Sequence, residues 1–200
     1  MPAVTVLTTQ DRQSIIKLIE WGLRPTTIQQ ILGDAVHKEV ITQLVKEYNP
    51  TAKRQGRTQT KPLLDTYAKR MLSSWICLQY RYVLEQSPSA PLLHILTYLY
   101  EQAYSAAQTY GICDQFTIDE VYATIVAYNN GILRLVQCRG SINTAHQGHD
   151  FEFVVQIEEP MAGRCPWCML KRHDPKPGAV GSNGSHHMPH GQLRIAATGT

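Results

Sequence analysis

Cys165 and Cys168 enclose a Pro-Trp pair, and that spacing lets one tight turn present two thiolates to a tetrahedral ion. Cys138 supplies a third thiol, and a fourth ligand would come from His146, His149, Ser141 or a residue outside the segment. Such a site binds its metal through deprotonated thiolates and adds folding free energy to a region with few apolar residues of its own. Structural zinc is therefore the expected chemistry, against a metal-free hairpin with reduced cysteines. A redox dithiol at Cys165 and Cys168 would call for a strand-turn-helix setting with the first thiol at a helix N-terminus. Pro160 and Gly163 upstream and the proline-rich stretch Lys171 to Pro177 downstream do not supply it. Cys77 and Cys113 have no neighbour at ligand spacing and read as buried or incidental thiols.

A second set of residues is suited to binding a polyanion. Lys38, Thr42, Gln43 and Lys46 fall on one side of a predicted helix whose Val40, Ile41, Leu44, Val45 and Tyr48 fall on the other. Shortly after it come Lys53, Arg54, Arg57 and Lys61, with no acidic residue from Thr51 to Leu64. Such an arm can neutralise phosphates and release their counterions, which gives salt-sensitive, sequence-independent affinity. The bland alternatives are an ordinary three-helix unit with solvated lysines and a solvated linker.

The elements that must carry these residues are mostly helices. Ile15, Leu18 and Ile19 form a first apolar stripe, ended by Gly22; Pro25 opens a second helix through Ile28, Ile31 and Leu32, closed by Gly33. Asp34 is placed to cap the third. Two helices joined by a tight glycine-containing turn, the second with a polar outer face, match the helix-turn-helix pattern. From Pro62 to about Val136 three long helices are expected. Their stripes are Leu64, Tyr67, Met71, Trp75, Leu78 and Tyr82; Leu92, Ile95, Leu96, Leu99, Ala103 and Tyr110; and Ile118, Val121, Ile125 and Val126. Pro88 and Pro91 separate the first two, Gly111 ends the second, and Thr117 with Glu120 forms a capping box for the third. The tyrosines of this region are expected to supply core or interface area. Phe151, Phe153, Val155 and Ile157 alternate as a strand does, after a polar stretch from Gly140 to Asp150.

The expected fold is mainly α. It comprises a helix-turn-helix-like unit over 1–50, a basic arm over 51–61, a helical bundle over 62–137, a small zinc-binding β segment over 138–173 and a flexible tail over 174–200. In that tail His186, His187 and His190 are at most weak metal ligands.

Composition narrows the function classes. Across 200 residues, 43% are hydrophobic, enough for a substantial core, and the net charge of +3 is too small to indicate nucleic acid by itself. No apolar run approaches the roughly 18 to 20 residues of a membrane span, and Met1 to Gln10 has no secretory signature, so a cytoplasmic location is expected. Five cysteines, an odd number, then stay reduced. There is no Gly-x-Ser-x-Gly elbow, no phosphate-binding Gly-x-x-x-x-Gly-Lys loop and no His-Glu-x-x-His helix, and Glu158 and Glu159 read as surface. The chain is expected not to be an enzyme.

In this order of features the chain resembles the FlhC family of bacterial transcriptional activators, known from flagellar control and from conjugative elements. The resemblance spans about 15–172. It is carried by Ile19-Glu-Trp-Gly-Leu-Arg24, the Lys38 to Tyr48 helix, the basic arm, Thr124 to Cys138, and the Cys165 to Cys168 knuckle followed by Lys171 and Arg172. It implies a DNA-contacting, zinc-bearing subunit that acts with a small FlhD-like partner and recruits RNA polymerase at promoters. The family holds zinc with four cysteines in two pairs; here Ser141 stands where the fourth is expected. The ligand set expected for this chain is Cys138, His146, Cys165 and Cys168. A zinc-stabilised adaptor that binds protein but not DNA is the alternative.

Overall fold

A computed structural model describes residues 7–50, 62–109, 116–138, 152–157 and 165–166. Within them the chain forms α1 (Thr9–Glu20), α2 (Pro25–Leu32), a 3-10 turn (Gly33–Ala35), α3 (Lys38–Tyr48), α4 (Tyr67–Gln86), α5 (Leu92–Thr109), α6 (Ile118–Asn129), β1 (Leu133–Gln137) and β2 (Glu152–Gln156). The mainly helical expectation is met.

Local chemistry sets most boundaries. Thr8 and Asp11 form a capping box at the start of α1, and Thr117 and Glu120 form the expected one at the start of α6. Gly22 turns the chain after α1 at φ +86, a conformation that an L side chain resists. Pro25 is the first residue of α2, and Gly33 closes that helix. The third helix departs from expectation. Asp34 lies in the 3-10 turn, and α3 starts at Lys38 after His37, whose side chain makes no capping bond. Gln29 fixes this turn instead, its Nε2 donating to the carbonyls of Gly33 (2.7 Å) and Val36 (3.1 Å).

One core runs from α1 to α6. Ile15, Leu18, Ile19, Ile28, Ile41 and Leu44 of the first three helices join Leu72, Ile76, Leu96, Leu99, Val121 and Ile125 of the last three in a continuous apolar cluster. Polar pairs rivet the two sets at its margin. Lys17 meets Glu101 at 2.6 Å, His94 Nε2 meets Asp11 at 2.8 Å, and Arg24 meets Asp119 at 3.5 Å. Trp21 packs on Tyr100 with ring centroids 4.9 Å apart.

The stripe on α4 is corrected in phase. The buried residues are Leu72, Ser73, Ser74, Ile76, Cys77 and Tyr80, whereas Met71, Trp75 and Leu78 are half-buried and Tyr67 and Tyr82 exposed. Two buried serines explain the difference, because each has a structural bond. Ser73 Oγ donates to the Leu63 carbonyl (2.6 Å), and Ser74 Oγ donates to the Arg70 carbonyl (2.7 Å) while accepting from the Val154 N–H (3.0 Å). Leu63, fully buried, also donates its N–H to Thr124 Oγ1 at 3.1 Å.

The bundle ends earlier than expected. After α6 the Asn130-Gly131 turn leads into β1, so Leu133–Gln137 is strand and not helix. It pairs antiparallel with β2, with Leu133 opposite Gln156, Leu135 opposite Val154 and Gln137 opposite Glu152. The period-two alternation assigns faces. Leu133 and Val154 pack on Cys77 and Ala127 of the helices, while Val136, Phe153 and Val155 lie on the opposite face. Arg81 clamps the end of β2 through both terminal guanidinium nitrogens, Nη1 and Nη2, to the Glu152 carboxylate, whose pKa is held below its ordinary value by those bonds.

Candidate functional site

The helix expected to meet DNA is built for one-sided exposure. Ile41, Leu44 and Val45 of α3 are buried in the core, and Asn49 fixes its C-terminal end by donating from Nδ2 to the Ile19 carbonyl at 3.0 Å. Lys38, Thr42, Gln43 and Lys46 are all exposed, as expected. Together with Glu39 they line a shallow groove of about 500 Å³. Val40 departs from expectation: it is 41% exposed, on the flank of this face, because the core is reached only by the arc from Ile41 to Val45.

Two details refine what the face can do. Thr42 Oγ1 donates to the Lys38 carbonyl at 2.9 Å, so its hydroxyl offers mainly its lone pairs outward. Glu39, an acid among the cations that mark this face in the sequence, stands in the groove with its carboxylate 2.5 Å from His37 Nδ1. That hydrogen bond holds the Glu39 carboxyl below its ordinary pKa. With Lys38 and Lys46 set against Glu39 and Glu47, α3 brings no net charge. The surplus cations of the candidate interface are Lys53, Arg54, Arg57 and Lys61, which lie outside the described residues.

The Ile19 to Arg24 stretch is explained by its packing. Ile19 and Leu23 are buried, Trp21 packs on Tyr100, Gly22 makes the turn and Arg24 pairs with Asp119. These residues set the angle between α1 and α2 and seat the unit on α5 and α6. Burial pushes the Asp119 carboxyl up, with Arg24 opposing the rise.

The candidate metal ligands are brought together in part. Cys138, at the end of β1, and Cys165 are both buried against Phe153 and Val155 on the sheet face turned away from the helices. Two thiols sharing one apolar face fit the donor chemistry of a closed structural zinc site. His146 and Cys168 lie outside the described residues, as do His149 and Ser141. Cys77 lies apart, between α4, α6 and the sheet, and burial pushes its thiol up to about 12, so it is inert at neutral pH.

No family model and no curated protein matches the chain. Among the described residues, no helix is long and apolar enough to cross a membrane.

Proposed function

We propose that the chain is the DNA-binding subunit of a bacterial transcriptional activator of the FlhC type, cytoplasmic and not an enzyme. The observation that carries this reading is the exposed polar face of α3, presented by a buried opposite face and followed at once by a segment with four cations and no acid. In a helix-turn-helix the second helix enters the major groove while neighbouring basic residues follow the backbone. Lys38, Thr42, Gln43 and Lys46 then approach base edges or phosphates, and Lys53, Arg54, Arg57 and Lys61 neutralise phosphates.

Zinc, held by Cys138, Cys165, Cys168 and His146, would serve as a structural cross-link in this reading. It would tie the segment after β2 to the end of β1. The protein's own residues prepare the seat: Val136, Phe153 and Val155 exclude water from the two buried thiols.

A second reading, a zinc-stabilised adaptor that binds only protein, draws on α4. Met71, Trp75 and Leu78 are half-buried there between exposed Tyr67 and Tyr82, a stripe suited to a helical partner. In the activator reading the same stripe is available to the FlhD-like subunit, and RNA polymerase is recruited by the assembly.

Chromatin immunoprecipitation of a tagged copy in the native host tests the choice. Discrete peaks upstream of promoters, with a small helical protein co-recovered, support the activator. A soluble, expressed protein with no enrichment over an untagged control supports the adaptor.

A further inference from the structure

We propose that Glu39 sets the base preference of α3 by accepting a hydrogen bond from the exocyclic amino group of a cytosine in the major groove. This inference rests on the DNA-binding reading of the same face and adds to it the residue that discriminates between sequences.

Position is the first argument. In helix-turn-helix docking the N-terminal residues of the second helix contact base edges. Glu39 is the second residue of α3 and lines one groove with Lys38, Thr42, Gln43 and Lys46. Its side chain is 80% exposed, so reaching a base leaves the core undisturbed.

Charge is the second. A carboxylate on a surface that meets phosphates weakens sequence-independent attraction, so its favourable contribution to binding has to come from a donor on a base. Guanine and thymine present acceptors at the major-groove edge, and adenine sets its amino group beside the N7 acceptor; cytosine offers the N4 amino donor alone. Glu39 is ionised and acceptor-only, so its chemistry selects that donor.

Orientation is the third. His37, immediately before α3, meets the Glu39 carboxylate at 2.5 Å through Nδ1. One carboxylate oxygen is thereby engaged, and the other keeps its lone pairs for a donor on a base. The competing role is a first-turn acid that only favours the helix dipole. Such a role moves stability and overall affinity, and leaves base preference untouched.

The test is selection from a randomised duplex pool at low salt, using the full chain purified from its host with the subunits that accompany it. Wild type, Glu39→Gln and Glu39→Ala are compared, with thermal melts to show that each variant is folded. Wild type is expected to enrich cytosine at one position, and Glu39→Gln to move that position toward adenine, which glutamine reads through N6 and N7. Glu39→Ala is expected to flatten the same position, reducing discrimination about 5- to 150-fold, the range that a single mismatched base pair costs. Identical preferences at every position in all three proteins, with at most a uniform change in affinity, overturn this proposal alone. No enrichment by wild type overturns the DNA-binding reading as well.

Discussion

Cys138 and Cys165, at opposite ends of a segment that contains all of β2, are buried together over Phe153 and Val155. Their thiols close the face of the hairpin that the helices leave uncovered. A metal cross-link there would tie the end of β1 to the segment after β2, reinforcing a hairpin that two short strands alone hold weakly.

One zinc per chain is therefore expected in protein purified without chelator, measured by elemental mass spectrometry. Cys138→Ser and Cys165→Ser should each abolish it, and His146→Ala against His149→Ala should identify the fourth ligand. Metal-free wild-type protein would refute the site.

Salt dependence separates the arm from the helix. Replacing Lys53, Arg54, Arg57 and Lys61 together by alanine should reduce the slope of log affinity against log salt by about 0.9 for each phosphate that is no longer neutralised. It should leave the preferred sequence unchanged. Filter binding across a salt series checks this, and an unaltered slope would remove the arm from the interface.

Ser74→Ala should destabilise the fold by about 1–3 kcal/mol, because the buried Val154 N–H is left without its acceptor. Urea unfolding of the variant measures the loss. The same change should loosen β2 on α4 and so weaken metal retention.

Gly22→Ala should cost about 1–2 kcal/mol, since φ is +86 and the added Cβ meets no clash that would cost more. The variant should remain folded, with its denaturation midpoint lowered.

The Arg81–Glu152 pair gives the stability an acid limb. The folded Glu152 carboxyl lies below its ordinary 4.5. Its contribution is therefore fully present above that value and is lost as pH falls through the lowered folded value. Glu152→Gln should be less stable than wild type at pH 7, with the difference shrinking below about pH 4. Both groups are partly exposed, so the effect at pH 7 is modest, on the order of 1 kcal/mol or less. Melts across a pH series read it directly.

Several helix ends were legible in the sequence because their signals are local, although Asp34 lies in the 3-10 turn and does not cap α3. Gly22, Pro25, Gly33 and the Thr117–Glu120 box each act within one turn of chain. The phase of α4 was not, because apolar residues occupy both sides of it and the decisive partners of Ser73 and Ser74 come from Leu63 and Val154. Nor was β1, whose Leu-Arg-Leu-Val-Gln is too short to declare a period without β2 beside it. On α3 the cations stood out and Glu39 did not, since its meaning depends on the groove it shares with them.

The shared core has a consequence for how the chain can be divided. Ile15, Leu18 and Ile19 are covered by residues that follow position 62, and Leu63 is held by both of its backbone groups. A protease cut anywhere within 51–61 would therefore yield two fragments that co-elute as a non-covalent pair. Neither half, expressed by itself, would be expected to fold as an autonomous module, so fragment complementation is the natural assay for this junction.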